Sequence, residues 1–199
     1  MACAMLPFLN NPINKQMVNI SKVKDTYHVL LADVKAHLNI ETGFTTDDDL
    51  ITQIIKDATG EAEDYIDGDI ASTTTTVICY DFNHGWVTLD STPVQSITSI
   101  EYMDGNGDFQ TITVADCTIR FGVQKTIIEL DQYYDTDQLK VVMVTGYANA
   151  AAMPTAINRA ILMRCADLYD VQRGSTMSGA FKETRAFEMA LSAHKKTSY

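Results

Sequence analysis

The side chains able to do chemistry are few, and their spacing argues against most chemistries. Asp47-Asp48-Asp49 sets three carboxylates in a row, and a hard divalent cation wants several oxygen donors. Consecutive residues at a helix start point in different directions, however, and no His or Cys stands close by in sequence. Helix capping and favourable first-turn charge explain the run. Asp104-Gly105-Asn106-Gly107-Asp108 opens like a calcium loop, but Phe109 and Ala115 occupy the positions where that loop needs glycine and an acid. Strand-like segments flank it, so it reads as a hairpin turn. His28, His37, His84 and His194 show no metal-ligand spacing. His84, within Phe82-Asn83-His84-Gly85-Trp86, is a turn residue.

Cys3, Cys79, Cys117 and Cys165 are 76, 38 and 48 positions apart, with no Cys-x-x-Cys pair. They read as four reduced thiols, with Cys165 buried on a helix. There is no Gly-x-Ser-x-Gly elbow, phosphate-binding loop or dinucleotide fingerprint. Asn19-Ile20-Ser21 matches a glycosylation acceptor, but the start of the chain lacks the basic and apolar regions of a secretory signal. The expectation is a protein without catalytic residues, metal or cofactor.

The elements that must carry these residues belong to a chain of 199 residues, 46% hydrophobic and 21% charged, enough for one substantial core. Its formal net charge is −11. That leaves no global field for holding phosphates or anionic lipid, because nucleic-acid affinity comes largely from Lys and Arg displacing counterions. No apolar run of about 18 residues occurs, so no membrane span is expected. The charge is uneven: residues 1–153 carry 8 basic and 22 acidic side chains, whereas residues 154–199 carry 7 basic and 4 acidic ones. A basic end on an acidic body suggests that this end meets an acidic partner or a neighbouring copy.

Periodicity predicts an α+β fold, a helical frame with an inserted small antiparallel sheet or sandwich. Residues 1–28, with Pro7, Pro12 and several asparagines, read as an extended arm. Residues 29–72 are helical. Leu30, Val34 and Leu38 mark a first helix broken by Gly43. Leu50, Ile51, Ile54, Ile55, Ala58, Ala62, Tyr65 and Ile66 form the stripe of a second, ended by Gly68. Gly60, in mid-helix, suggests close packing. Residues 73–147 hold short runs rich in Val, Ile, Thr and Tyr between turns, an antiparallel β insertion. Residues 148–174 return to helix, with Pro154 in the first turn and Ile157, Ile161, Cys165 and Leu168 on one face. Residues 175–199 read as a hinge around Ser175–Gly179 followed by an amphipathic tail helix from Phe181 to about Lys195, lying outside the main core.

Two separated blocks resemble a known family. The first is Val34-Lys35-Ala36-His37-Leu38, a short loop, Asp48-Asp49-Leu50, and a helix ending Glu63-Asp64-Tyr65-Ile66. The second is Val142-Met143-Val144-Thr145-Gly146-Tyr147, then Met153-Pro154, then the helix from Ala160-Ile161-Leu162 through Leu168-Tyr169 to Gln172-Arg173. Their order and spacing resemble the head–tail connector proteins of tailed bacteriophages, also called adaptor or head-completion proteins. Between the blocks, Pro93-Val94-Gln95-Ser96-Ile97-Thr98-Ser99-Ile100 and the Asp104-Gly105 turn resemble the β insertion of the members that have one.

The resemblance implies a non-enzymatic structural protein of the virion neck, assembled in the host bacterial cytoplasm. It implies a homo-oligomeric ring, usually of twelve copies, between the portal protein and the tail or a further neck protein. DNA passes through its channel without specific binding. The C-terminal segment of such proteins reaches back to the portal, a role that here falls on Phe181, Arg185, Phe187, Leu191, Lys195 and Lys196. The competing reading is a virion-associated carbohydrate- or receptor-binding β module, with Trp86, Tyr102, Tyr133 and Tyr134 as stacking aromatics.

Overall fold

The computed structural model describes residues 18–80, 82, 85–122, 125–173 and 185–196. The fold is α+β, with four α-helices and two antiparallel sheets among the described residues. Strand β1 (Val18–Thr26) precedes helices α1 (Leu31–His37) and α2 (Asp48–Ile66). Seven strands follow: β2 (Ser72–Tyr80), β3 (Trp86–Leu89), β4 (Val94–Met103), β5 (Phe109–Ile112), β6 (Cys117–Phe121), β7 (Thr126–Leu130) and β8 (Gln138–Thr145). Helices α3 (Thr155–Arg173) and α4 (Ala186–Leu191) complete the order.

In α2 the apolar stripe turns inward as the spacing predicts, burying Ile51, Ile54, Ile55, Ala58, Ala62 and Ile66. They meet Ile157, Ala160, Ile161 and Cys165 of α3, with Val34 of α1 and Leu191 of α4. The ends of α1 and α2 depart from expectation. The left-handed residues there are Asn39 (φ 56°) and Asp67 (φ 56°), not Gly43 and Gly68. Short polar side chains tolerate this conformation almost as glycine does. Gly60 departs too: a Cβ there would meet only the Lys24 Nζ, at 3.9 Å, so close packing is not its reason.

One sheet has the order β1-β2-β8-β4-β5 and the other β3-β7-β6. A second apolar core draws Val77, Cys79, Ile100, Ile112, Leu139, Val141 and Met143 from the first sheet and Val87, Leu89, Ile128 and Leu130 from the second. Strand β8, paired on both sides, alternates half-buried and buried residues, as a central strand must. The Asp104–Asp108 segment is the expected hairpin turn: Gly107 has φ 89°, and the Asp104 carboxylate accepts the amides of Asn106 (2.9 Å) and Asp108 (3.0 Å). Residues 18–26 of the segment read as an arm form β1. No residue of β1 is buried, and apolar–polar alternation covers only Val18-Asn19-Ile20-Ser21, too short a run to mark a strand.

The two cores are joined at a seam organised by Glu63. Its Oε1 accepts the buried amides of Ile70 (2.8 Å) and Ala71 (2.9 Å), where the chain leaves α2 for β2. Its Oε2 pairs with Lys24 of β1 at 2.5 Å. Burial works against the charge of Lys24, yet the hydrogen bond and Coulomb attraction to Glu63 outweigh it and raise the ammonium's pKa. Beside it, Lys22 pairs with the buried Asp69 at 2.7 Å. The amide of Gly146 donates to Pro93 (2.8 Å) and that of Tyr147 to Ile70 (3.2 Å), while His28 Nε2 lies 2.7 Å from the Tyr147 carbonyl oxygen. Gly146 has φ 85°, and a Cβ there would strike the Ala71 carbonyl oxygen at 2.0 Å. No described helix is long and apolar enough to cross a membrane.

Glu63→Ala strands two buried amides and unpairs Lys24. We expect a loss of about 2–4 kcal/mol in urea unfolding, with Glu63→Gln losing less; equal losses would show that the acceptor oxygen is not what matters. The turn predicts a pH effect. The Asp108 amide, the Gln110 side chain and the Asn106 amide hold the Asp104 carboxyl below the usual aspartate range. A depressed folded pKa stabilises above the unfolded value and is lost as pH falls through the folded one. The stability gap between wild type and Asp104→Asn is therefore expected at pH 6 and should close below about pH 3.9; a gap that persists in acid would contradict it.

Candidate functional site

The sequence pointed to the C-terminal segment, and Phe181 lies outside the described residues. Of the others, Arg185 and Lys195 are exposed, Phe187 and Lys196 are half-buried, and Leu191 is buried. Leu191 is fully buried, inside the helical core of α1, α2 and α3. Phe187 and Tyr65 of α2 are 6.4 Å apart between ring centroids, and the Lys195 ammonium sits 4.8 Å from the Tyr65 centroid. The Lys196 amide donates to the Ile66 carbonyl (3.0 Å) and its Nζ to the Asp90 carbonyl (2.6 Å), on either side of the seam. Burial lowers the pKa of Lys196, against the attraction of Asp67 and Asp69. The expectation that the tail lies outside the core is therefore corrected. A single leucine in a closed apolar site outweighs the polarity of the short helix that carries it.

A cleft of about 510 Å³ opens between α2, α3 and α4, with Glu61, Tyr65, Arg164, Asp167, Arg185 and Phe187 in its wall. Arg164 grips Glu61 by two hydrogen bonds, one from Nη2 at 3.1 Å and one from Nε, tying α3 to α2. Arg185 and Glu188 are exposed at the α4 side. The wall mixes both signs of charge and carries no nucleophile–base pair.

The Asp47–Asp49 run separates into three roles. Asp47 precedes α2 without bonding its amides through the side chain; its Oδ2 instead accepts the Tyr169 hydroxyl of α3 at 2.7 Å. Asp48 pairs with the buried Lys35, which also donates to the Phe44 carbonyl at 2.7 Å. Asp49 is exposed, in the first turn of α2. The capping role expected for the run is thus partly replaced by tertiary contacts, because Tyr169 and Lys35 reach these oxygens first. Among the described residues, no group of three His, Cys, Asp or Glu could hold a metal ion. Burial pushes the Cys79 thiol up to about 11 and the Cys165 thiol up to about 12, which makes both inert.

Of the aromatics, Tyr102 and Tyr134 pack on each other with centroids 4.8 Å apart, against the second core. Trp86 and Tyr133 are exposed, at 51% and 81%. Carboxylates gather along the end of the sheets remote from the helices: half-buried Asp104 and exposed Asp108 in one turn, exposed Asp116 before β6, and exposed Asp131, Asp135 and Asp137 between β7 and β8. Sequence reasoning missed Glu63. Its signal was an acid at helical spacing from Thr59 and Ile66, on the stripe that should have been apolar.

The docked tail makes a specific prediction. Leu191→Ala should destabilise the full chain by about 2–4 kcal/mol in chemical unfolding. Met189→Ala, two residues earlier and 73% exposed, should stay within about 0.5 kcal/mol of wild type. Equal effects would mean that the segment is not held by its leucine.

Residues 29–103 match the family described as phage gp6-like head-tail connector protein. No curated protein matches the chain by sequence. Among solved structures, a chain from the neck of an empty gene transfer agent particle, treated with C6 symmetry, superposes with a TM-score of 0.72 at 16% identity. The match covers 92% of this chain and 97% of that one. A chain from the virion of the native gene transfer agent gives the same values. A chain from the native neck, treated with C12 symmetry, gives 0.68 at 14% identity over the same shares. The resemblance carried by the two sequence blocks therefore holds: this chain is similar to phage head–tail connector proteins in sequence over residues 29–103, and to gene transfer agent neck chains in fold over nearly its whole length.

Proposed function

We propose that this protein is a structural component of a phage neck, forming a ring between the portal vertex and the tail and extending the channel through which DNA passes. The observation that carries the reading is the combination of a connector-family match with a fold shared, over nearly the full length of both chains, with neck proteins of a virus-like particle. In this reading residues 29–72 and 148–174 form the helical frame, and the insertion of residues 73–147 packs its two sheets as a sandwich beyond it.

The chemistry of the surface supports a passage rather than a grip. The net charge is −11, and the exposed carboxylates Asp108, Asp116, Asp131, Asp135 and Asp137 lie together at the sheet end beside half-buried Asp104. Carboxylates repel phosphates, so a duplex moving past them is not held.

The portal contact falls on what the tail leaves uncovered. Leu191 is committed to the protein's own core, whereas Arg185 and Lys195 are exposed and Phe187 is half-buried. With Phe181 and Lys196, these form the surface proposed to meet the portal.

The decisive experiment mixes the full chain with the portal protein of the same phage and examines the product by electron microscopy. A ring of this protein seated on the portal is expected. Arg185→Glu should weaken attachment about tenfold, as reversing an interfacial charge does. Failure of wild-type protein to bind portal, in purified form and in lysate from infected cells, would overturn the reading.

A further inference from the structure

The small sheet β3-β7-β6 has no footing of its own in the helical frame. Among the described residues, no helical side chain enters the core between the sheets, and no side chain of the small sheet enters the helical core. The small sheet is tied to the frame through the link Asp90–Pro93, which joins β3 to β4. Three carbonyl oxygens of this link accept bonds from three places. Pro93 takes the Gly146 amide just past β8 (2.8 Å), Thr92 takes the Asp69 amide between α2 and β2 (3.1 Å), and Asp90 takes the Lys196 Nζ (2.6 Å).

The first two donors are backbone amides, placed by the elements beside them. The third belongs to the tail. Lys196 is its last described residue, and the Lys196 amide is held by the Ile66 carbonyl at the end of α2 (3.0 Å). One residue therefore reaches from the end of the helical stripe to the residue after β3. Its ammonium is attracted by Asp67, Asp69 and Asp90 and repelled by Lys22. Half-burying an ammonium costs hydration, and the Asp90 carbonyl and these acids offset it. Five residues upstream, Leu191 anchors the same segment in the helical core.

The outer side of that segment carries Arg185 and Phe187, part of the surface proposed to meet the portal. Phe187 stands beside Tyr65 of α2 only because the segment is docked. A partner that recognises this arrangement binds the docked state and so favours it.

We propose that the C-terminal segment is a strap that fixes the small sheet against the helical frame through Lys196, and that portal binding holds the strap closed. The second half of the inference rests on the portal reading above. Linkage makes the coupling reciprocal: whatever opens the strap weakens portal binding by the same factor.

The test measures the strap in the full chain by electron-spin distances. Cys3 and Cys117 are changed to Ser, and nitroxide labels are attached to Lys56→Cys in α2 and Thr118→Cys in β6, both exposed positions. A single narrow distance is expected. Lys196→Met keeps the backbone bond and an apolar stem but loses the ammonium. It should widen the distribution at least about twofold, with far-UV circular dichroism unchanged. Lys196→Arg, which can still donate to the Asp90 carbonyl, should restore the narrow distance. Portal protein of the same phage should narrow the Lys196→Met distribution, and should bind this variant about tenfold more weakly than wild type. An equally narrow distance in Lys196→Met overturns the strap and leaves the portal reading standing. Portal that binds Lys196→Met as tightly as wild type overturns the coupling. No portal binding by wild type overturns the portal reading and the coupling with it, and the distances in the free chain then decide the strap alone.

Discussion

The buried carboxylate of Glu63 is the point on which the two halves of this structure depend. A chain that passes from a helical core into a β core must turn between them, and the turn exposes backbone amides that lose their water. Ile70 and Ala71 are those amides, and Glu63 accepts both with one oxygen. Its other oxygen takes Lys24, which brings β1 against the same corner. The carboxylate is tolerated there because its lone pairs are spent on donors and its charge is balanced by a lysine that remains partly in water. The backbone bonds from Gly146 to Pro93 and from Tyr147 to Ile70 and the Lys22–Asp69 pair hold the same seam beside it.

The C-terminal segment shows how a short element gains a fixed place. Six residues of helix are too few to persist alone, since the first turn costs more order than its hydrogen bonds return. Leu191 in the helical core, Phe187 by Tyr65 and the backbone bond from Lys196 to Ile66 supply the rest. The same contacts bring the last described residues to the seam. The segment proposed to meet the portal is thus mechanically continuous with the link between helices and sheets.

Charge is arranged so that attraction works inside and repulsion outside. Among the described residues, Lys22, Lys24, Lys35, Arg120, Lys140 and Arg164 each pair with a carboxylate. The remaining acids are displayed, many at the far end of the sheets. Ion pairs at such partly exposed sites add modest stability. They also leave the unpaired surface charge with one dominant sign.

The sequence by itself determined the elements and their class. The stripe in α2, the hairpin turn at Asp104–Asp108 and the apolar run of β8 are local patterns, and a 3.6-residue or two-residue period reveals which face is buried without knowledge of the partner. The order of two motif blocks around a β insertion was legible for the same reason. Tertiary structure alone decided what covers what. β1 was not read as a strand because only Val18 to Ser21 alternates and none of its residues is buried. Asp47 and Asp48 looked like capping groups until Tyr169, 122 residues away, and Lys35 were brought to them. Glu63 and Leu191 were misjudged because a side chain's polarity or a helix's shortness predicts exposure only on average. Whether a donor or a cavity waits opposite depends on contacts between residues far apart in the chain, which no local pattern encodes.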